Sequence, residues 1–360
     1  MTSFHYVNDA LFAEDVALTE IANAHGTPTY VYSRTDIETA YTSFEQAFAT
    51  HPHRVCYSVK ANSNLGVLNI LARLGAGFDI VSGGELQRVL RAGGDAASVV
   101  FSGVGKTAAE LQMALQAKIA CFNVESSAEL DTLQTIAAQF NLVAPISIRV
   151  NPDVDPGTHP YIATGLKENK FGVSSDIAVE MYQRAATMDN INIVGIDCHI
   201  GSQITELSPL TDALSEVLQL VDDLEREGIT LNHIDLGGGL GVCYKDEQPI
   251  AVEDYASAVL QTMGRHSQKL LFEPGRYIVA NAGILLSRVE LTKQNGDHHF
   301  AVVDAAMNDL IRPALYNAWQ KVSAVELRGD PETWSVVGPV CETGDFLAHD
   351  RELAIATGDL

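Results

Sequence analysis

The stretch RVCYSVKANSNLGVLNILARLG (54–75) reads as three pieces in succession. Val55-Cys56-Tyr57-Ser58-Val59 is a strand-like run, and Lys60 ends it. A polar turn follows, Ala61-Asn62-Ser63-Asn64, and then apolar residues at helical spacing up to Gly75. The same succession recurs along the chain. Its β-rich runs are GFDIVSGGE (77–85), SVVFSG (98–103), ACFNVES (120–126), PISIRVNPD (145–153), NIVGIDCHIGSQ (192–203), NHIDLGGGLG (232–241) and KLLFEPGR (269–276). Helical patterns such as GELQRVLRAG (84–93) and LTDALSEVLQLVDDLEREG (210–228) separate them. Eight strands alternating with helices imply a parallel sheet, and a span of roughly 220 residues is near the size of a closed (β/α)8 barrel. An open doubly wound sheet is the alternative.

After Arg276 the rhythm changes. YIVANAGILLSRVELTKQ (277–294), HHFAVVDAAM (298–307), ETWSVVG (332–338) and LAIATGD (353–359) are apolar or alternating runs without long helices between them. They predict a second, mainly β domain. The expected division is an N-terminal segment, 1–27, that joins the β domain, a barrel over 28–276, and the β domain over 277–360. A short strand is expected within TPTYVYS (27–33), before the barrel.

Composition bounds the function. The net charge of −23 argues against nucleic acid or an anionic membrane as partner. The start has no basic region followed by an apolar run, and no apolar stretch is long enough to span a bilayer. Five scattered cysteines, an odd number, suggest reduced thiols in a cytoplasm.

In a (β/α)8 barrel the chemistry sits at the C-terminal ends of the strands. Lys60, Asn151, His199, the run Gly237, Gly238, Gly239, and Glu273 all fall there. Alternation places Arg149 on one face with Asn151, and Asp197 with His199. A buried Arg149 needs carboxylate partners, and Asp79 and Asp197 are the candidates. An isolated lysine at a strand end is ordinarily solvated. Here, desolvation and the nearby Arg149 or His199 are expected to lower the Lys60 pKa and free the amine as a nucleophile. Such a lysine needs a carbonyl partner. A pyridoxal phosphate site would also need a phosphate cradle and a partner for the ring nitrogen. DLGGGLG offers backbone N–H groups after strand seven, EPGR adds Gly275 and Arg276, and Glu273 offers the carboxylate. The glycine run does not fit the dinucleotide pattern G-x-G-x-x-G. GVGKT (103–107) lacks the first glycine of a phosphate loop and reads as a βα turn. No metal site is expected, and the pairs His51/His53 and His298/His299 read as surface.

Taken together, YSVKAN, FDIVSGGEL, HIGSQ, DLGGGLG, EPGR, MNDLIRPALY and CETGD resemble the diaminopimelate decarboxylases. These are carboxy-lyases of the alanine-racemase-like, fold-type III pyridoxal phosphate enzymes. The similarity runs in order from about residue 4 to the last residue. It implies that Lys60 holds pyridoxal 5'-phosphate covalently and that His199 lies against its ring. It implies phosphate contacts from Ser202, Gly237, Gly238, Gly239, Gly275 and Arg276, and a ring-nitrogen partner in Glu273. Arg276, Arg312, Tyr316 and Glu342 match substrate contacts, and Cys341 matches a proton donor. CETGD has Thr343 where the family usually has Ser. In the family this motif reaches the other subunit's site, which implies a homodimer with shared active sites. The implied activity is decarboxylation of meso-2,6-diaminopimelate to L-lysine and CO2, the last step of lysine biosynthesis. A decarboxylase of arginine, ornithine or a carboxylated polyamine is the alternative, as is an inactive relative. The family continues for several dozen residues past the position of Leu360, through a GAYG-like segment and a tyrosine, so the β domain over 277–360 is expected to be truncated.

Overall fold

The structure is a computed structural model and describes residues 3–155 and 169–360. The chain divides into two compact units. One comprises Glu38–Val242 and Gln248–Val279; the other comprises Met1–Ile37, Cys243–Glu247 and Ala280–Leu360.

The first unit is a closed barrel of eight parallel strands. In chain order they are His53–Ser58, Gly77–Ile80, Val99–Phe101, Cys121–Val124, Ala144–Arg149, Ile191–Asp197, His233–Asp235 and Lys269–Phe272. Each pairs with the next, and the last returns to the first through Leu270 opposite His53. The connecting helices start where the sequence supplies caps. The side chains of Asn64, Ser82 and Ser126 accept hydrogen bonds from the first-turn N–H groups of Gly66, Glu85 and Glu129. Thr107 and Glu110 form a reciprocal capping box. Each cap satisfies a donor that the helix itself cannot.

The barrel interior is layered, and alternation along the strands explains the layers. Cys56, Val100, Cys121 and Leu271 form one small apolar cluster. Two residues further along the same strands come Ser58, Ser102, Asn123 and Glu273, all buried. The polar layer lies toward the C-terminal ends of the strands, where side chains can meet a ligand. Outside the barrel, Phe44 and Phe48 pack on Phe272 with ring centroids 5.3 and 4.2 Å apart, and Tyr255 closes the cluster.

Gly195, on the sixth strand, makes room for His233 on the seventh: a Cβ there would lie 2.2 Å from the imidazole. Burial, with a smaller contribution from Lys269, pulls the His233 pKa down to about 4. A depressed histidine favours the folded state fully above its unfolded pKa and loses that contribution as pH falls toward the folded value. Between about pH 6.5 and pH 4 this should remove roughly 3 kcal/mol of stability. Asp235, raised to about 6, acts with the opposite sign. The difference between the parent and a non-titrating His233→Gln variant therefore isolates the effect. Denaturant midpoints should fall more steeply with acidification for the parent, and parallel slopes would refute the assignment.

The second unit contains three small sheets. Phe4–Val7, Ala10–Ala13 and Val16–Ala17 form one. Val289–Asn295, His298–Val303, Glu332–Val337 and Phe346–Leu353 form another, over a core that includes Val289, Val303, Trp334, Val336 and Leu353. The strand in 27–33 is present as Thr29–Tyr32, but it does not open the barrel unit. It pairs antiparallel with Gly283–Leu286, so the break falls after Ile37 rather than at residue 28. At the other end the short helix Arg276–Val279 extends the barrel unit beyond residue 276. All five cysteines are free. Among the described residues no helix is long and apolar enough to cross a membrane.

Candidate active site

Lys60 lies in a 3-10 turn, Val59–Ala61, directly after the first barrel strand. Its Nζ is 2.8 Å from Asp79 Oδ2, and Ser58 Oγ donates to the same oxygen at 2.8 Å. The Asp79 side chain is fully buried, whereas that of Lys60 is 49% exposed. Desolvation works to lower the Lys60 pKa, but the charges of Asp79 and Glu273 outweigh it and hold the amine above its ordinary value. This corrects the expectation of a lowered pKa. Arg149 does act in that direction, but Asp79 is closer and fully desolvated.

Asp79 therefore serves Lys60 and not Arg149. The Arg149 guanidinium meets Glu125 Oε1 at 3.3 Å and Asp197 Oδ2 at 3.8 Å, and lies 4.9 Å from the centre of the Phe171 ring. Asp197 was anticipated from the parity of its strand; Glu125, just past the fourth strand, was not. Asn151 is buried and donates to the Phe171 carbonyl. His199 accepts a hydrogen bond at Nδ1 from the Gly238 N–H, at 3.2 Å. Burial, then the charges of Arg149 and Lys60, keep its pKa well below the usual histidine value, so the imidazole is neutral.

The glycine run is shaped by close approach. Gly237 has φ +61°, and a Cβ there would sit 2.6 Å from His199 Nδ1. At Gly238 a Cβ would meet the Glu273 carbonyl at 2.3 Å. These residues let the turn lie directly against His199 and Glu273. Arg276 donates through Nε and Nη2 to Ser202 Oγ, each at 3.2 Å. Glu273 is buried; its Oε1 accepts from Ser102 Oγ at 3.2 Å and Asn123 Nδ2 at 3.5 Å. Burial and the charges of Asp235, Asp79 and Asp197 push its pKa well up. Ser102 and Asn123 were not singled out in the sequence, although both lie on the parity of Lys60's own strand face.

Lys106 of the GVGKT turn is buried. It pairs with Glu129 at 2.7 Å and donates to the carbonyls of Gly103 and Asn123. That bears out the reading as a βα turn. His53 is less exposed than expected, because its ring pairs with Glu45 at 3.4 Å.

The remaining predicted residues belong to the second unit. Arg312 opens the short helix Arg312–Tyr316, with its guanidinium 5.0 Å from the Tyr316 ring centre and 5.9 Å from that of Tyr244. Cys341 and Glu342 are exposed. Their loop is tied by the buried Asp345, whose carboxylate accepts from the N–H groups of Val340 and Met307. Asp345 is the last letter of CETGD, and its anchoring role had no signal in the sequence.

Residues 34–280 match the family described as pyridoxal-dependent decarboxylase, pyridoxal binding domain. A diaminopimelate decarboxylase of Pseudomonas aeruginosa is 60% identical over 100% of this chain and 87% of its own length. The chain belongs to the diaminopimelate decarboxylases. Another member, from Vibrio cholerae, is 55% identical over the same shares of the two chains. Among solved structures, the diaminopimelate decarboxylase of M. jannaschii matches with a TM-score of 0.95 at 37% identity, covering 99% of this chain and 86% of that one. The Helicobacter pylori enzyme, complexed with L-lysine, matches with a TM-score of 0.92 at 42% identity, covering 95% and 86%.

This diaminopimelate decarboxylase family member is a pyridoxal-dependent decarboxylase, and its donor set suits that cofactor. The barrel mouth combines a primary amine, a guanidinium paired with a hydroxyl, and a neutral imidazole. A buried carboxyl with a raised pKa, able to share a proton with a ring nitrogen, completes the set.

Proposed function

We propose that this chain decarboxylates meso-2,6-diaminopimelate to L-lysine and CO2 with pyridoxal 5'-phosphate as cofactor. Identity to diaminopimelate decarboxylases along the whole chain carries the reading. One C–C bond breaks, CO2 leaves, and one C–H bond forms at the same carbon. When bound, pyridoxal phosphate supplies a conjugated, protonated ring that can take up the electron pair left on the carbon when CO2 departs.

The residues divide the work. Lys60 would hold the cofactor covalently. Its Nζ must lose a proton to act as a nucleophile, and Asp79 Oδ2 at 2.8 Å is an acceptor already in place. Arg276, Ser202, Gly275 and the backbone of Gly237, Gly238 and Gly239 would bind the phosphate. His199 would present a neutral face to the ring, and Glu273 would share a proton with its nitrogen. Cys341 would deliver the proton to the substrate carbon, with Glu342, Arg276, Arg312 and Tyr316 binding the substrate.

The protein works as a homodimer with shared sites in this reading. The exposure of Cys341 and Glu342 on a single chain supports it. Five free cysteines support a cytoplasmic setting. The test is turnover of a panel of diamino acids, with lysine and CO2 measured together. Equimolar lysine and CO2 from diaminopimelate is the expected result; preference for ornithine or arginine would overturn the substrate assignment. Mixing inactive Lys60→Ala and Cys341→Ala subunits should restore some activity. A proven hybrid without activity would put both groups in one subunit's site.

A further inference from the structure

Seven barrel strands, with the turns that follow them, bring five carboxylates and two cations into the interior near the mouth. The carboxylates are Asp79, Glu125, Asp197, Asp235 and Glu273; the cations are Lys60 and Arg149. Lys60 pairs with Asp79, and Arg149 with Glu125 and Asp197. Asp235 and Glu273 have no ion-pair partner among the described residues, although Asp235 is 0% and Glu273 6% exposed. One oxygen each of Asp197, Asp235 and Glu273 lies within 4.8 Å of the others.

The hydrogen bonds are uneven. Asp235 Oδ1 accepts from the Gly237 N–H at 2.9 Å. Its Oδ2 is buried, and no protein group among the described residues donates to it. The groups facing it supply no further charge of the right sign. Ser102 and Asn123 are neutral and donate to Glu273. Cys56, beneath the pair, is held neutral by burial and by these same carboxylates. Two buried carboxylates with no cation between them cannot both stay ionised, whereas one proton held between them supplies the donor that Asp235 Oδ2 lacks.

We propose that Asp235 is a positioning residue that shares one proton with Glu273 and thereby sets the charge Glu273 presents to the cofactor's ring nitrogen. The link to the ring rests on the reading that Glu273 faces that nitrogen. The pKa directions agree: burial, with the charge of Asp79, raises Asp235 to about 6, and hydrogen bonds to the Gly237 N–H, Glu273 and Asn123 moderate the rise. Removing the shared proton leaves two adjacent buried carboxylates both charged, so each group's titration depends on the state of the other. The two groups therefore titrate as a pair.

The test has two arms. In the cofactor-free full chain, carboxyl titration is followed by carbon-13 NMR. The parent pair should titrate in two separated steps. Asp235→Asn keeps an oxygen to accept from Gly237, and in it Glu273 should titrate at least about one pH unit lower. Should that variant not fold, Glu273→Gln reads the pair from the other side, with Asp235 titrating lower. In the holoenzyme, nitrogen-15-labelled pyridoxal phosphate reports ring protonation. Loss of the Asp235 charge should let the ring nitrogen deprotonate at lower pH, and Asp235→Glu should restore part of the shift. Independent titration of the two carboxyls in the ordinary range, or no response of Glu273 to Asp235→Asn, overturns the shared proton. A ring nitrogen indifferent to Glu273→Gln overturns the placement of Glu273 at the ring, and with it the link to the cofactor.

Discussion

Lys60→Ala is expected to abolish turnover and to leave pyridoxal phosphate that borohydride cannot fix to the protein. The visible absorbance of the attached cofactor should disappear with it. Among the described residues, only the Lys60 amine pairs with Asp79. Lys106, which follows the third strand, has a side chain that is 0% exposed and an ammonium engaged with Glu129 and two carbonyls. The substitution also removes the cation beside Asp79. That carboxylate keeps the Ser58 hydroxyl at 2.8 Å but loses its charge partner, so the variant should be less stable as well as inactive. Lys60→Arg separates the two effects. It keeps a cation near Asp79, and with it much of the stability, yet offers no amine to attack a carbonyl. Both variants should be inactive, with Lys60→Arg the more stable in denaturant. A borohydride-fixed adduct in either would remove Lys60 from the role.

The eight strands were legible because each obeys one local rule, an apolar run closed by a turn, and every one of them forms. Parity was also legible. It put Arg149 and Asp197 on the inner face, and they pair at 3.8 Å. What parity does not give is height and neighbour inside a closed barrel, which depend on how the strands are staggered. That is why parity alone points Asp79 at Arg149 although it serves Lys60, and why parity does not find Glu125. The sign of the Lys60 shift depends on that same neighbour, since a lysine with a buried carboxylate at 2.8 Å, and the Glu273 charge beside it, gains more from those charges than it loses to desolvation. Asp235 has no signal of its own because Asp before Leu-Gly reads as a turn former, and it does accept from Gly237. The partner of Thr29–Tyr32 is Gly283–Leu286, beyond the whole barrel in sequence, and no local pattern in TPTYVYS announces it. Cys341 and Glu342 were reached only through the family resemblance, since an exposed Cys-Glu pair in a loop has no periodicity to read.

Arg312→Ala should raise KM for diaminopimelate, with a loss of roughly 2–5 kcal/mol in transition-state binding, the order seen when a desolvated charge pair loses one partner. Diaminopimelate differs from lysine and ornithine by a second carboxylate at its far end. Reading that group calls for a fixed cation, and a guanidinium offers two parallel N–H bonds where an ammonium offers a point charge. The structure adds a reason to choose Arg312. Its guanidinium is only partly exposed and lies within 5.0 Å of the Tyr316 ring centre and 5.9 Å of the Tyr244 ring centre. Two rings beside the cation stabilise it by cation–π attraction and narrow its rotamers before any substrate arrives, so less entropy is lost on binding. Arg312→Lys keeps the charge but not the fork, and should recover only part of the loss. An amino acid lacking the far carboxylate, such as ornithine, should be a poor substrate for the parent and nearly indifferent to the substitution. If parent and Arg312→Ala show the same relative preference for diaminopimelate over ornithine, Arg312 does not read the far carboxylate, and the discrimination must come from another cation.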